Sequence, residues 1–160
     1  MKSAFLAAVL AVSVLPASAG ELFSGTHTYR PNSEIWNPIP AAGWWSTTMV
    51  GQYEPKSGPI PASRIECRGG GFWNKSIREA TGVCVFGEAP DVWMLRYNAT
   101  ETDRAKRTAA GYLPMGEWTV VGGTGRYSGI TGSGTYLAEG AVADDQKYRT
   151  RWEGEVTIPE

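Results

Sequence analysis

Residues 147–158, KYRTRWEGEVTI, alternate without a break. Tyr148, Thr150, Trp152, Gly154, Val156 and Ile158 share one parity; Lys147, Arg149, Arg151, Glu153, Glu155 and Thr157 share the other. A period of two sorts these sets onto the two faces of a strand, one buried and one in water, and a helix cannot separate them. The outward charges also interleave in sign, as suits a solvated sheet surface. The chain that carries this segment has to build a sheet.

Other stretches supply partners for it. Residues 44–53 are rich in β-branched and aromatic types, with Gly51 as a candidate bulge. Residues 60–68 and 82–86 each carry one cysteine. In 91–97, Trp93, Leu95 and Tyr97 alternate against Val92, Met94 and Arg96, and 116–121 and 133–139 flank a glycine cluster. Helical signals are weak: 99–110, ATETDRAKRTAA, has alanine as its only apolar residue and no stripe to dock, so it reads as an exposed loop. With 20 glycines and 10 prolines punctuating short strands, the chain is expected to be all-β. Closing its sheet into a single barrel would remove the edges. Residues 20–43, rich in Pro, Asn, Ser and Gly around Trp36, read as an N-terminal arm over a barrel domain at 44–160.

The glycine cluster, GGTGRYSGITGSGTY at 122–136, contains Gly122, Gly123, Gly125, Gly129, Gly132 and Gly134. A phosphate-binding P-loop needs a lysine that this stretch lacks. A dinucleotide fingerprint needs G-x-G-x-x-G before a helix, whereas here three residues separate Gly125 from Gly129 and a strand pattern follows. The glycines therefore read as a fold device, supplying turns and bends between two strands. The cluster resembles the GGTGxFxGaxGxGxY signature of the allene oxide cyclase and dirigent barrel-like superfamily, in particular its small exported bacterial-type members. The resemblance spans the signature and the strand layout after residue 44. It implies an eight-stranded antiparallel barrel with an interior pocket, in which cyclases and dirigents steer a reactive apolar intermediate. No residue here stands as a counterpart of a cyclase's catalytic groups.

The first nineteen residues read as a secretory signal peptide: a Met1-Lys2 start, an apolar run from Ala4 to Leu15, and an A-x-A-like site at Ala17-Ser18-Ala19. The protein is thus expected to be exported, periplasmic or secreted, with no membrane span. In that setting Cys67 and Cys84 are expected to form a disulfide, worth about 3 kcal/mol on the loop-entropy estimate. The formal net charge of −1 offers no field for nucleic acid.

Seven tryptophans point inward chemistry toward aromatics. By parity the inward set is Trp93, Leu95, Tyr97, Trp118, Val120, Tyr136, Tyr148 and Trp152, which either fills the barrel or walls a ligand cavity. Trp93, Tyr97, Trp118, Tyr136 and Trp152 are the candidate ligand-binding residues. Of the adjacent Trp44 and Trp45, one has to face outward. Glu66 and Arg68 read as a surface pair, Glu101 with Asp103 and Asp144-Asp145 as loop residues, and the lone His27 as a solvated side chain. No catalytic constellation, metal set or cofactor motif is present in the pattern. The leading expectation is an exported barrel that binds a small apolar or aromatic ligand or serves the envelope structurally. The alternatives are a cyclase- or dirigent-like enzyme and a lipocalin- or avidin-like binder. The sequence leaves the oligomeric state open.

Overall fold

The computed structural model describes residues 20–101, 115–142 and 147–159, without the side chains of 100, 101 and 140–142. The candidate signal peptide, Asp103, Asp144-Asp145 and most of the 99–110 stretch lie outside the described residues. Strands β1 (Glu21–Ile39), β2 (Ala42–Ser57), β3 (Ser63–Asn74), β4 (Arg78–Glu88), β5 (Asp91–Glu101), β6 (Met115–Gly123), β7 (Thr131–Val142) and β8 (Lys147–Thr157) close a barrel in sequence order. Every neighbouring pair is antiparallel, and β1 meets β8 from Glu21↔Val156 to Tyr29↔Tyr148. Closure pairs both edges of the sheet along the barrel wall, which is how an all-β chain of this size disposes of unpaired backbone.

The segment 20–43 is not an arm. It contains β1, a barrel strand whose Phe23, Gly25, His27 and Tyr29 are buried while Ser24, Thr26 and Thr28 are half-buried. Proline and asparagine mask this strand in the sequence because its second half stands clear of the barrel, where Pro31 and Pro38 displace no core contact. Gly51 is not a bulge either. The β1–β2 and β2–β3 registers run straight through it, and it is glycine because the Thr28 carbonyl crosses where a side chain would be. β5 continues through Glu101, taking the start of the expected 99–110 loop into the wall.

The glycine-rich connection closes one end of the barrel. After β6, a single 3-10 turn over Gly125–Tyr127 folds the chain back, with positive φ at Gly125 (57°) and Gly129 (79°). Those two backbone conformations are open to glycine and strained for other residues. The turn is tied to the start of β5 by Thr124 N–H donating to Val92 O at 2.7 Å and Arg126 N–H donating to Asp91 Oδ1 at 3.0 Å. It drives Tyr127 and Ile130 into the interior, where Ile60 from the β2–β3 connection joins them.

Above this floor an aromatic plug fills the lower barrel. Phe23 sits at its centre, stacked on Tyr53 (5.4 Å) and edge-on to Trp93 (5.8 Å) and Trp118 (5.4 Å), with Phe86 stacked on Trp93 at 4.2 Å. Gly134 and Gly154 pair directly across β7 and β8, and the Trp118 indole lies over them. A Cβ at either position would come within 2.7 Å of the ring, so these two glycines are fixed by packing. The indole N–H is shared between the carbonyls of Thr135 (3.1 Å) and Glu153 (3.2 Å).

Candidate functional site

The upper half of the barrel is not filled. Strands β1, β2, β3, β4, β5, β7 and β8 enclose a cavity of about 50 Å3 lined by His27, Tyr29, Trp45, Thr47, Met49, Cys67, Arg78, Ala80, Cys84, Tyr97, Tyr136, Ala138, Thr150 and Trp152. A space of that size takes a few waters, each needing about 10–15 Å3 on this measure. Toward the open end it meets a second space of about 140 Å3, lined by Ile35, Trp45, Trp73, Asn74 and Arg78. Trp45 and Arg78 line both, so the two spaces adjoin at these side chains. The Trp45 indole is pinned there by a 3.0 Å hydrogen bond to Glu79 O, and the Arg78 guanidinium stands 5.9 Å from its ring centre.

Period-two patterning explains which side chains arrive. Small residues on the inward parity, Ala80, Ala138, Thr47 and Thr150, leave room that larger ones would fill. Aromatic rings supply the rest of the wall: Tyr97 lies 5.6 Å edge-on from Tyr136, and Tyr136 lies 5.3 Å from Trp152. The Cys67–Cys84 disulfide joins residues that face each other across β3 and β4 and turns its sulfurs inward as part of the lining.

Polar atoms without partners set the chemistry. His27 Nε2, Tyr97 Oη, Tyr136 Oη and Trp152 Nε1 are all buried and none has a hydrogen bond to a described residue. Leaving such groups unpaired is costly, about 1–3 kcal/mol each, and buried polar groups are ordinarily satisfied. His27 is 1% exposed, the reverse of the solvated side chain expected, and burial lowers its pKa from 6.5 to about 3. It is a neutral imidazole across the physiological range. Its Nδ1 lies 4.0 Å from Cys67 Sγ. A half-cystine sulfur carries no hydrogen, so the tautomer that suits this contact protonates Nδ1 and leaves the lone pair on Nε2. Burial also pushes the hydroxyls of Tyr97 and Tyr136 above the ordinary tyrosine range, so both stay protonated donors. Tyr29 accepts a 3.4 Å hydrogen bond from Thr150 Oγ1 and packs 4.5 Å from the His27 ring. The cavity is thus mostly apolar in its walls, with His27 Nε2 as a neutral acceptor, donors on Tyr97, Tyr136 and Trp152, and the Arg78 guanidinium in the lining.

Of the five residues selected from the sequence, Tyr97, Tyr136 and Trp152 line this cavity. Trp93 and Trp118, each 1% exposed, belong to the plug beneath it. The inward parity holds for Leu95, which is buried, and less for Val120 and Tyr148, which are half-buried. Trp45 faces in and Trp44 out. His27 and Tyr29 were missed with the strand that carries them, although the alternation Phe23, Gly25, His27, Tyr29 was there to read. Glu66 is a surface carboxylate as expected, bridged by Arg64 (2.9 Å) and Arg68 (2.8 Å), whose hydrogen bonds hold it below the usual carboxylate range. Among the described residues no three His, Cys, Asp or Glu side chains converge as metal ligands would, and no helix is long and apolar enough to cross a membrane.

No protein-family model matches the chain, and no curated protein matches it. A solved structure of a pterocarpan synthase dirigent protein does, with a TM-score of 0.50 over 96% of this chain and 100% of that one, at 14% sequence identity. The fold is dirigent-like. At that identity the likeness concerns the barrel and its strand order, and the chemistry has to come from the residues described above.

Proposed function

We propose that this dirigent-like barrel binds a small apolar or aromatic molecule bearing at least one hydroxyl or carbonyl group, and does so without chemical conversion. The observation that carries this reading is the set of four buried polar atoms, on His27, Tyr97, Tyr136 and Trp152, that have no hydrogen bond to a described residue and line a mostly apolar cavity. A ligand hydroxyl donating to His27 Nε2 and an oxygen accepting from the tyrosines or the Trp152 indole would satisfy them. The cavity of about 50 Å3 holds the polar end of such a molecule, and the adjoining groove between Ile35, Trp45 and Trp73 holds the remainder. Small-molecule sites commonly combine apolar walls with a few placed polar groups in this way.

A neutral His27 with a pKa near 3 is a poor general base at neutral pH, which favours recognition over proton transfer. The second reading is an enzyme that steers a reactive intermediate by shape and exclusion of water, as the dirigent-like fold and the enclosed wall allow. Residues 1–19 and the Cys67–Cys84 disulfide support export to an oxidising compartment, periplasmic or extracellular. Native mass spectrometry of the purified protein tests the binding reading. A single adduct released on denaturation, and recovered unchanged after re-addition, supports it. Recovery of an altered molecule supports the enzyme reading.

A further inference from the structure

The β1–β2 ribbon runs to the open end of the barrel through Trp36↔Trp44 and Ile39↔Ala42. Residues 32–40 are all exposed, with Ile35 (66%), Trp36 (68%) and Ile39 (56%) largely in solvent. Trp44, opposite Trp36, and Phe72, opposite Trp44, continue a row of exposed rings across β2 and β3. Apolar groups occupy both faces of the ribbon: Trp36 shares the outer face with Trp44, whereas Ile35 pairs with the inward Trp45. No charged residue occurs between Glu34 and Glu54. Exposed apolar patches of this extent mark contact with a protein or a membrane.

We propose that the tip of this ribbon, residues 35–44, inserts shallowly into the boundary between headgroups and acyl chains of a lipid bilayer. The area on offer argues against a protein partner. For side chains of about 150–250 Å2 each, the exposed parts amount to roughly 400–700 Å2, short of the ~800 Å2 a side that a specific protein interface buries. A protein partner would also cover one face of the ribbon, whereas a tip apolar on both faces suits a medium that surrounds it. The chemistry of the tip fits that medium. Charge, costly at depth, is absent from it, and Pro38 and Pro40 bring no N–H to be stripped of water at the turn. Tryptophan favours the interfacial level of a bilayer. Apolar partition therefore drives the contact, without help from anionic headgroups. The groove lined by Ile35, Trp45 and Trp73 opens beside the tip, so docking sets the mouth of the cavity against lipid. In a step that rests on the binding reading above, the bound molecule is then one that dissolves in the bilayer and enters from it.

Co-sedimentation with phosphatidylcholine vesicles reads the partition. The native protein is expected to bind them, equally at about 0.1 and about 1 M salt, because no ion pair is involved. The double variant Trp36→Ser, Ile39→Ser changes two exposed side chains that line neither the cavity nor the groove. It should bind vesicles about tenfold or more weakly, with the unfolding midpoint and ligand binding in vesicle-free solution unchanged. Lipids brominated on their acyl chains should quench the tryptophan fluorescence of the native protein and spare that of the double variant. Native protein that stays free at every lipid concentration overturns the proposal. So does equal binding by the double variant, or binding that requires phosphatidylglycerol and is lost in salt. Retention on an insoluble polysaccharide in place of vesicles, lost in the double variant, would assign the tip to a glycan and overturn it as well. Ala138→Leu, which fills the cavity, should bind vesicles as the native protein does, so failure of docking and failure of the ligand reading are distinguishable.

Discussion

The Nδ1 of His27 on β1 lies 4.0 Å from the Sγ of Cys67 on β3, a contact that reaches past the intervening strand along the cavity wall. It joins the imidazole of the cavity to the Cys67–Cys84 disulfide, and His27 Nε2 is left without a hydrogen bond to a described residue. Stability and recognition meet at this point.

The imidazole makes stability depend on pH with a definite sign. Between pH 6.5 and about 3 the unfolded chain takes up a proton on His27 that the folded chain refuses. Stability from this residue is therefore flat above 6.5 and falls as pH drops through that window, by up to about 1.4 kcal/mol per pH unit. Denaturant unfolding of the native protein and His27→Gln at pH 7, 6, 5 and 4 should show the native protein losing stability faster. Parallel curves would contradict a buried neutral His27.

Replacing both half-cystines, Cys67→Ala with Cys84→Ala, should lower unfolding stability by about 3 kcal/mol, through the freed chain between them and the atoms lost from the wall. Urea titration measures it. In the folded, unreduced protein neither cysteine should react with a thiol reagent.

Gly134→Ala should cost about 1–3 kcal/mol, because the new methyl meets the Trp118 ring and the Glu153 carbonyl at once. The readout is the midpoint of guanidinium unfolding, with Gly154→Ala expected to behave alike. A neutral effect would mean that the indole does not lie over this glycine pair.

Tyr97→Phe and Tyr136→Phe should move stability and binding in opposite directions. Each removes a buried hydroxyl that has no hydrogen bond to a described residue, so the ligand-free protein should be unchanged to about 1 kcal/mol more stable. Affinity for the bound molecule should drop about 5- to 10-fold, read by calorimetric titration. Hydroxyls with a purely structural role would give a loss of stability instead.

Much of this barrel was legible in the chain. β8 announced itself because one parity is mostly apolar or aromatic and the other mostly charged, and the disulfide followed from two cysteines in a chain expected to be exported. The glycine cluster marked the closed end because turn chemistry is local. β1 was hidden for the opposite reason. Its first half alternates small polar residues with Phe23, His27 and Tyr29, a weak contrast, and its second half lies in solvent, where no burial imposes a pattern. With β1 went His27, so the cavity's only acceptor nitrogen was lost from view. Parity also could not separate Trp93 and Trp118 from Trp152: all face inward, and height along the barrel axis, which divides plug from cavity, depends on strand stagger set by closure.

Ala138 lies in the cavity wall and clear of the plug. Quenching of intrinsic tryptophan fluorescence by small hydroxylated aromatics, compared between the native protein and Ala138→Leu, tests ligand binding in the cavity most directly. The native protein should saturate at one molecule per chain, and Ala138→Leu should fold normally and bind none. Equal quenching of both proteins, or no saturable quenching of the native one by any compound, would contradict a ligand site in the barrel.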